Sequence, residues 1–305
     1  MNKVLKLDGV TKSIKGKVLV DKISFEVYEG EVFGFLGPNG AGKTTTIRML
    51  VGLIKPTKGT IEIAGYPVKT HFKEAMRQIG CIVENPELYG YLTGWENLNQ
   101  FARMLGIKDD KKISEVVNLV KLTERIHEKV KTYSLGMKQR LGIAQALLGG
   151  PKLLILDEPT NGLDPAGIRE LREFIHMLVK EQNISVFISS HLLSEIEMIC
   201  DRVGIINKGK MVRVSTVKEL VKEAAERVEW RVSPLQKALD LLKKDSTIQD
   251  IVVKDELILC RMSPLKINEV IQHFVAENIQ VNGVKTMSET LEDLFMEMTG
   301  GEVRG

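Results

Sequence analysis

A chain of 305 residues with 43% apolar and 27% charged side chains can form one large domain or two moderate ones, and its composition excludes a disordered, collagenous or coiled-coil protein. Its 43 basic and 40 acidic side chains leave a net charge of +3, too little to argue for a nucleic-acid partner; a locally basic face could hide in that sum, so charge alone leaves the partner open, and on the motifs below no nucleic acid is expected. The longest apolar runs, such as Ile47 to Ile54 broken by Arg48, fall short of the ~18 to 20 residues of a membrane span, and the N-terminus has no apolar signal core. A cytoplasmic protein is expected, with Cys81, Cys200 and Cys260 as reduced structural thiols.

From Val4 to Phe35 apolar residues alternate or cluster between turn signals at Lys15-Gly16 and Glu29-Gly30, which reads as a series of strands. The run Glu31 to Leu36 enters a glycine-rich turn, and Lys43 to Val51 then has helical spacing. Thr93 and Glu96 have capping-box spacing, followed by a stripe of Leu98, Phe101, Ala102 and Leu105. Ile113, Val116, Val117 and Val120 form a second stripe, and a third helix, Met137 to Leu148, stops at Gly149-Gly150-Pro151. Residues from about 86 to 150 are therefore expected to be a helical insertion in a mixed-sheet α/β domain.

Leu153 to Leu156 and Ile184 to Ser190 read as strands buried on both faces, with the helix Ile168 to Val179 between them as in a parallel βαβ unit. Val203 to Asn207 and Met211 to Ser215 flank the turn Lys208-Gly209, and a boundary is placed near 216. The expected domains are thus 1–215 and 216–305. In the second, strands at 228–232, 248–253, 257–261 and 279–285 alternate with helices at 235–242 and 267–277, the order of a small ferredoxin-like α+β module; a last helix is expected from Thr290 to Met298.

Gly37-Pro38-Asn39-Gly40-Ala41-Gly42-Lys43-Thr44-Thr45 fits GxxxxGK[ST], after an apolar strand and at the start of a helix. Such a loop curls backbone N–H groups around phosphates, with Lys43 reaching the β- and γ-oxygens and the Thr44 hydroxyl free to ligate Mg²⁺. Asp157, closing the run Leu153 to Leu156, would hold the metal through water. Glu158 follows it and, by strand alternation, points elsewhere, as a general base facing the attacking water. Ser134 opens the helix that carries Gly136, either as a second anion site or as a simple N-cap.

With these motifs in this order, followed by Leu156-Asp157-Glu158-Pro159-Thr160 and His191, the chain resembles the ATP-binding subunit of an ABC transporter. Within the drug and peptide export branch it is similar to the bacitracin-export and lantibiotic-immunity type, in Tyr133 to Arg140, Ile79 to Glu84 and Asn161 to Pro165. Leu291 to Gly300 looks like the tails of that branch. The resemblance implies ATP and Mg²⁺ as cofactors, and a homodimer or paired ABC subunit joined head to tail. Ser134 and Gly136 would then contact, in trans, the γ-phosphate held by the other subunit's loop. It also assigns Glu84 to the Q-loop as a metal-side residue, Asp164 to the D-loop and His191 to the H-loop.

Three departures stand out. Ile14 occupies the place of an adenine-stacking aromatic and removes a π face there. Glu84 replaces a glutamine, and Leu135 and Met137 replace a glycine and a glutamine of the common signature. The function implied is ATP hydrolysis powering a separate integral membrane permease, on the inner face of the membrane, that exports a peptide antibiotic or similar amphiphile. The rival is a soluble ABC ATPase that remodels ribosomes or nucleic acid, which would call for fused nucleotide domains or long charged insertions. A third reading, compatible with export, makes 216–305 a sensing or dimer-stabilising module. Permease contact is expected along 85–105, with Tyr89, Tyr91 and Trp95 as anchors unless they pack in the insert's core.

Overall fold

The computed structural model describes residues 2–225 and 227–287 together with 295, 296, 298 and 299. The chain divides into two compact units, Met1–Ser215 and Thr216–Gly305.

The first unit begins with β1 (Lys3–Ile14) and β2 (Lys17–Tyr28), antiparallel from Lys3↔Tyr28 to Ile14↔Lys17. Their two-residue turn puts both Lys15 (φ 49°) and Gly16 (φ 81°) in the left-handed region, the geometry that lets a tight turn follow the strand twist. Next come β3 (Val32–Leu36), α1 (Lys43–Leu50), β4 (Lys58–Ile63), β5 (Tyr66–Pro67), α2 (Phe72–Met76) and β6 (Ile79–Ile82). Three helices follow, α3 (Gly94–Met104), α4 (Asp110–Leu119) and α5 (Leu135–Leu147), and then β7 (Leu153–Asp157), α6 (Pro165–Gln182), β8 (Ser185–Ser190), α7 (Leu193–Ile199), β9 (Arg202–Asn207) and β10 (Lys210–Thr216).

These strands make two sheets, β2-β1-β4-β5 and β10-β9-β3-β8-β7-β6. In the larger sheet β3 pairs parallel with β8 and β9, and β7 pairs parallel with β8 and β6. All residues of β3, β7 and β8 are buried, so their apolar runs are continuous where β1 and β2 alternate. Phe25 of the smaller sheet stacks on Phe33 of the larger at 5.3 Å, and Phe35 and Phe187 complete an aromatic cluster that joins the two sheets.

The helices α3 to α5 are inserted between β6 and β7, which are neighbours in the sheet. The expected capping box is present: Glu96 N–H donates to Thr93 Oγ1 (3.1 Å) and Thr93 N–H to Glu96 Oε2 (2.7 Å). α5 starts two residues earlier than its apolar spacing suggests, because Ser134 caps it.

In the second unit a helix the sequence reading did not contain, α8 (Val217–Ala225), begins at a capping box of Thr216 and Glu219. It is followed by β11 (Arg227–Ser233), α9 (Leu235–Leu242), β12 (Gln249–Lys254), β13 (Leu257–Arg261), α10 (Ile267–Ala276) and β14 (Gln280–Met287). The sheet order is β12-β13-β11-β14 with antiparallel pairing, the arrangement of a ferredoxin-like module. Its core holds Trp230 against the edge of Phe274, ring centres 5.2 Å apart. The helix expected over 290–298 lies outside the described residues, apart from 295, 296 and 298.

Candidate nucleotide-binding site

Three parallel strands end side by side. The register pairs Leu36 with Ser190 and Asp157 with Ser189, so the loop after β3, the acids at the end of β7 and the residues ending β8 share one edge of the sheet. That edge is where parallel α/β sheets place ligands. The loop 37–42 leads into α1, whose first residue is Lys43.

Lys43 is buried; its Nζ donates to the carbonyl of Gly37 (2.7 Å) and lies 3.2 Å from Glu158 Oε1. His191 Nδ1 lies 2.8 Å from Glu158 Oε2. Both carboxylate oxygens of Glu158 are therefore engaged, one by an ammonium and one by an imidazole. Ser189 holds the two acids in place. Its hydroxyl donates to Asp157 Oδ1 (2.5 Å) and accepts from the backbone N–H of Glu158 (3.0 Å).

Glu158 lies beyond β7 and its φ is +48°, so a left-handed turn, not the alternation of a strand, separates its direction from that of Asp157. The two side chains diverge as expected, but through this turn and not through strand alternation. Burial raises the pKa of Asp157; the hydroxyl of Ser189 opposes this, the charge of Glu158 adds to it, and Thr44 and Lys43 oppose it further.

A carboxyl whose pKa is higher in the folded state favours folding below the unfolded carboxyl range, and that contribution is lost as pH rises through the raised value. Asp157→Asn keeps an oxygen acceptor for Ser189 and removes the buried charge. The nucleotide-free variant should therefore melt a few degrees above the parent at pH 7 to 8, with the gap closing as pH falls toward about 4. Thermal unfolding across that pH range checks this, and a variant that melts lower throughout would refute it.

A cavity of about 760 Å³ opens on this edge. Pro38, Asn39, Gly40, Gly42, Lys43, Thr44, Thr45, Glu158 and His191 line it, joined by Asn161, by Lys17, Val18 and Leu19 at the start of β2, and by Lys208. Of the expected loop residues, Gly37 and Ala41 lie behind it. Gly37 faces the Ile206 carbonyl too closely to admit a side chain, and the Ala41 carbonyl accepts from Gly209 N–H at 2.9 Å. Asp157, 2% exposed, sits beneath, within reach of the Thr44 hydroxyl. One carboxylate and one hydroxyl suit Mg²⁺, which takes few protein ligands and completes its shell with phosphate and water. No cluster of three or more metal-ligating side chains occurs among the described residues.

Other expected residues lie outside this cavity. Ile14 ends β1 and is 45% exposed without lining it. Ser134 caps α5 by accepting from Met137 N–H (3.2 Å), and Asp164 caps α6 by accepting from Gly167 N–H (3.0 Å). These two starts lie together, Leu135 against Gly162 and Leu163 near Gly136. Glu84, at φ +64°, pairs with Arg48 of α1 at 2.6 Å. Tyr89 and Tyr91 are 49% and 69% exposed with ring centres 5.9 Å apart, so neither packs in the core, and Trp95 rests against His127.

Residues 20–161 match the ABC transporter family. The chain is 50% identical over 300 residues to an uncharacterised ABC transporter ATP-binding protein, YhcH of Bacillus subtilis, covering 98% of this chain and 97% of that protein. It is 46% identical over 309 residues to the bacitracin transport ATP-binding protein BcrA of Bacillus licheniformis, covering all of both. A solved structure described as the ATP-binding subunit of an ABC transporter aligns with a TM-score of 0.63 and 31% identity over 71% of this chain and 91% of its own.

Proposed function

Because the chain belongs to the ATP-binding subunits of ABC transporters and is an ATPase of that family, we propose that it powers a separate membrane permease that exports a peptide antibiotic or similar amphiphile. The substrate class comes from its whole-length likeness to a bacitracin transport subunit. No described helix is long and apolar enough to cross a membrane, so the pathway is assigned to another polypeptide, which would hold this subunit at the inner face. The exposed pair Tyr89 and Tyr91 is our candidate contact for it. Neither the family match nor the relatives named above favour ribosome or nucleic-acid remodelling.

The observation that carries the mechanism is the division of the site. Lys43, Glu158 and His191 meet in the cavity, while Ser134, Gly136 and Asp164 of the same chain line none of it. The exposed N-terminus of α5 is thus free for the triphosphate of a second subunit, which supports a head-to-tail dimer. Mg²⁺, held by Thr44 and through water by Asp157, would neutralise phosphate charge. Glu84 would join it on leaving Arg48.

Phosphate oxygens draw Lys43 from Glu158 Oε1 and the Gly37 carbonyl, and the released carboxylate faces the γ-phosphate with His191 steadying its other oxygen. Glu158 takes a proton from water as the water oxygen bonds to the γ-phosphorus. The bond from that phosphorus to the bridging oxygen breaks, leaving ADP and phosphate.

The test is affinity capture of tagged Glu158→Gln protein from detergent-solubilised membranes of its native cell with ATP present, read by mass spectrometry. A polytopic membrane protein in stoichiometric amount is expected. Recovery with ribosomes or nucleic acid and no permease would overturn export.

A further inference from the structure

The nucleoside end of the cavity is recognisable by exclusion. Lys43, Glu158 and His191 define the γ-phosphate end, where Asn161 also sits with its N–H on the Glu158 carbonyl (3.2 Å), and the loop carries the rest of the triphosphate, so the lining left for ribose and base is Lys17, Val18, Leu19 and Lys208. No aromatic ring is among them. Val18, 51% exposed, offers apolar surface without a π face.

Lys208 is held there by its backbone neighbours. It occupies the β9 to β10 turn at φ +48°, followed by Gly209 at φ +79°. Gly209 donates to the Ala41 carbonyl of the phosphate loop (2.9 Å) and its carbonyl accepts from Asp21 N–H of β2 (2.8 Å). A side chain at 209 would come within 2.6 Å of the Leu19 carbonyl, so only glycine lets the turn sit this close.

Lys17 and Lys208 are both exposed and, among the described residues, neither has a carboxylate partner. The nearby acid Asp21 pairs with Lys210 at 3.7 Å. The only carboxylate among the described lining residues is Glu158, already engaged at the far end. The nucleoside end therefore presents cationic donors and no anionic acceptor.

A base that suits such a surface presents acceptors. Guanine offers two adjacent ones, N7 and O6, whereas adenine offers N7 beside an amino donor that an ammonium opposes. We propose that this cavity reads the base by charge instead of by stacking, with Lys17 and Lys208 donating to the O6 and N7 edge of guanine, so that the site takes GTP at least as readily as ATP. The inference rests on the nucleotide-binding reading above and extends it to the class of base accepted.

The test measures equilibrium binding of ATP and of GTP, each with Mg²⁺, to the full-length Glu158→Gln protein, then repeats it with Lys17→Ala or Lys208→Ala added. GTP should bind as tightly as ATP or more tightly. Each added substitution should weaken GTP by at least about fivefold and ATP by much less, with Lys208→Arg restoring GTP. Weaker binding of GTP than of ATP by the parent, or an equal loss of both nucleotides in the variants, would overturn the proposal; an equal loss would put the ammoniums on ribose or phosphate. Failure to bind either nucleotide would instead refute the nucleotide-binding reading itself.

Discussion

Glu158→Gln should bind ATP as the parent does and lose turnover by about 10²- to 10⁴-fold, the range general-base catalysis supplies. Glutamine has the size of glutamate and keeps an oxygen for the Lys43 ammonium, which lies 3.2 Å from the native carboxylate. It loses the basic oxygen that a water proton needs. Because Lys43 also donates to the Gly37 carbonyl, the loop keeps its shape without the ion pair. The effect should therefore appear in kcat with little change in nucleotide Kd, measured by phosphate release and equilibrium binding on the same preparation. Undiminished kcat would remove Glu158 from the base role.

Ser134→Arg should abolish hydrolysis although position 134 lies outside the cavity of its own chain. The side chain stands exposed at the start of α5, where a guanidinium would fill the space that a second subunit's triphosphate would enter in the proposed head-to-tail dimer. Loss of the cap to Met137 N–H should cost about 1 kcal/mol, so the variant should remain folded, which a melting curve verifies. Lys43→Ala, which should be inactive through its own loop, provides the complement. In a dimer of the two variants, one composite site pairs the intact Lys43 of the first with the intact Ser134 of the second. Random mixing makes half the dimers mixed, each with one such site, so about a quarter of parental activity should return if sites act independently. A mixture with no recovered activity would argue against the head-to-tail arrangement.

What the sequence disclosed depended on how local the chemistry is. The phosphate loop is contiguous, and its glycines, Lys43 and Thr44 are needed at fixed offsets, so the site's centre can be read from one run of nine residues, Gly37 to Thr45. The central strands β3, β7 and β8 were equally legible, since burial on both faces leaves an apolar run with little ambiguity. The role of Ser189 was not legible, because it exists only through the register that sets β8 beside β7. The serine pair Ser189-Ser190, ending a buried apolar strand just before His191, was the one available hint. Lys17, Val18 and Lys208 were missed for a similar reason. Their place in the cavity follows from a turn docking on a loop more than 160 residues earlier in the chain.

The stretch from about 52 to 85, where no strand or helix is predicted, holds short elements with weak periodicity. β5 has two residues, β6 has four including a glycine, and α2 is little more than one turn. α8 did carry a signal, Thr216 three residues before Glu219, which its run of charges obscured.

The left-handed backbone at Glu158 bears on which residues this position accepts. Holding a residue with a Cβ at φ +48° costs about 1 to 2 kcal/mol compared with glycine, and asparagine would also fit it better. The ion pair with the buried Lys43 outweighs that strain, so a library of this chain screened only for thermal survival should keep a carboxylate at 158 while Lys43 is present, and should admit glycine or asparagine there only in members that have also lost that lysine's charge.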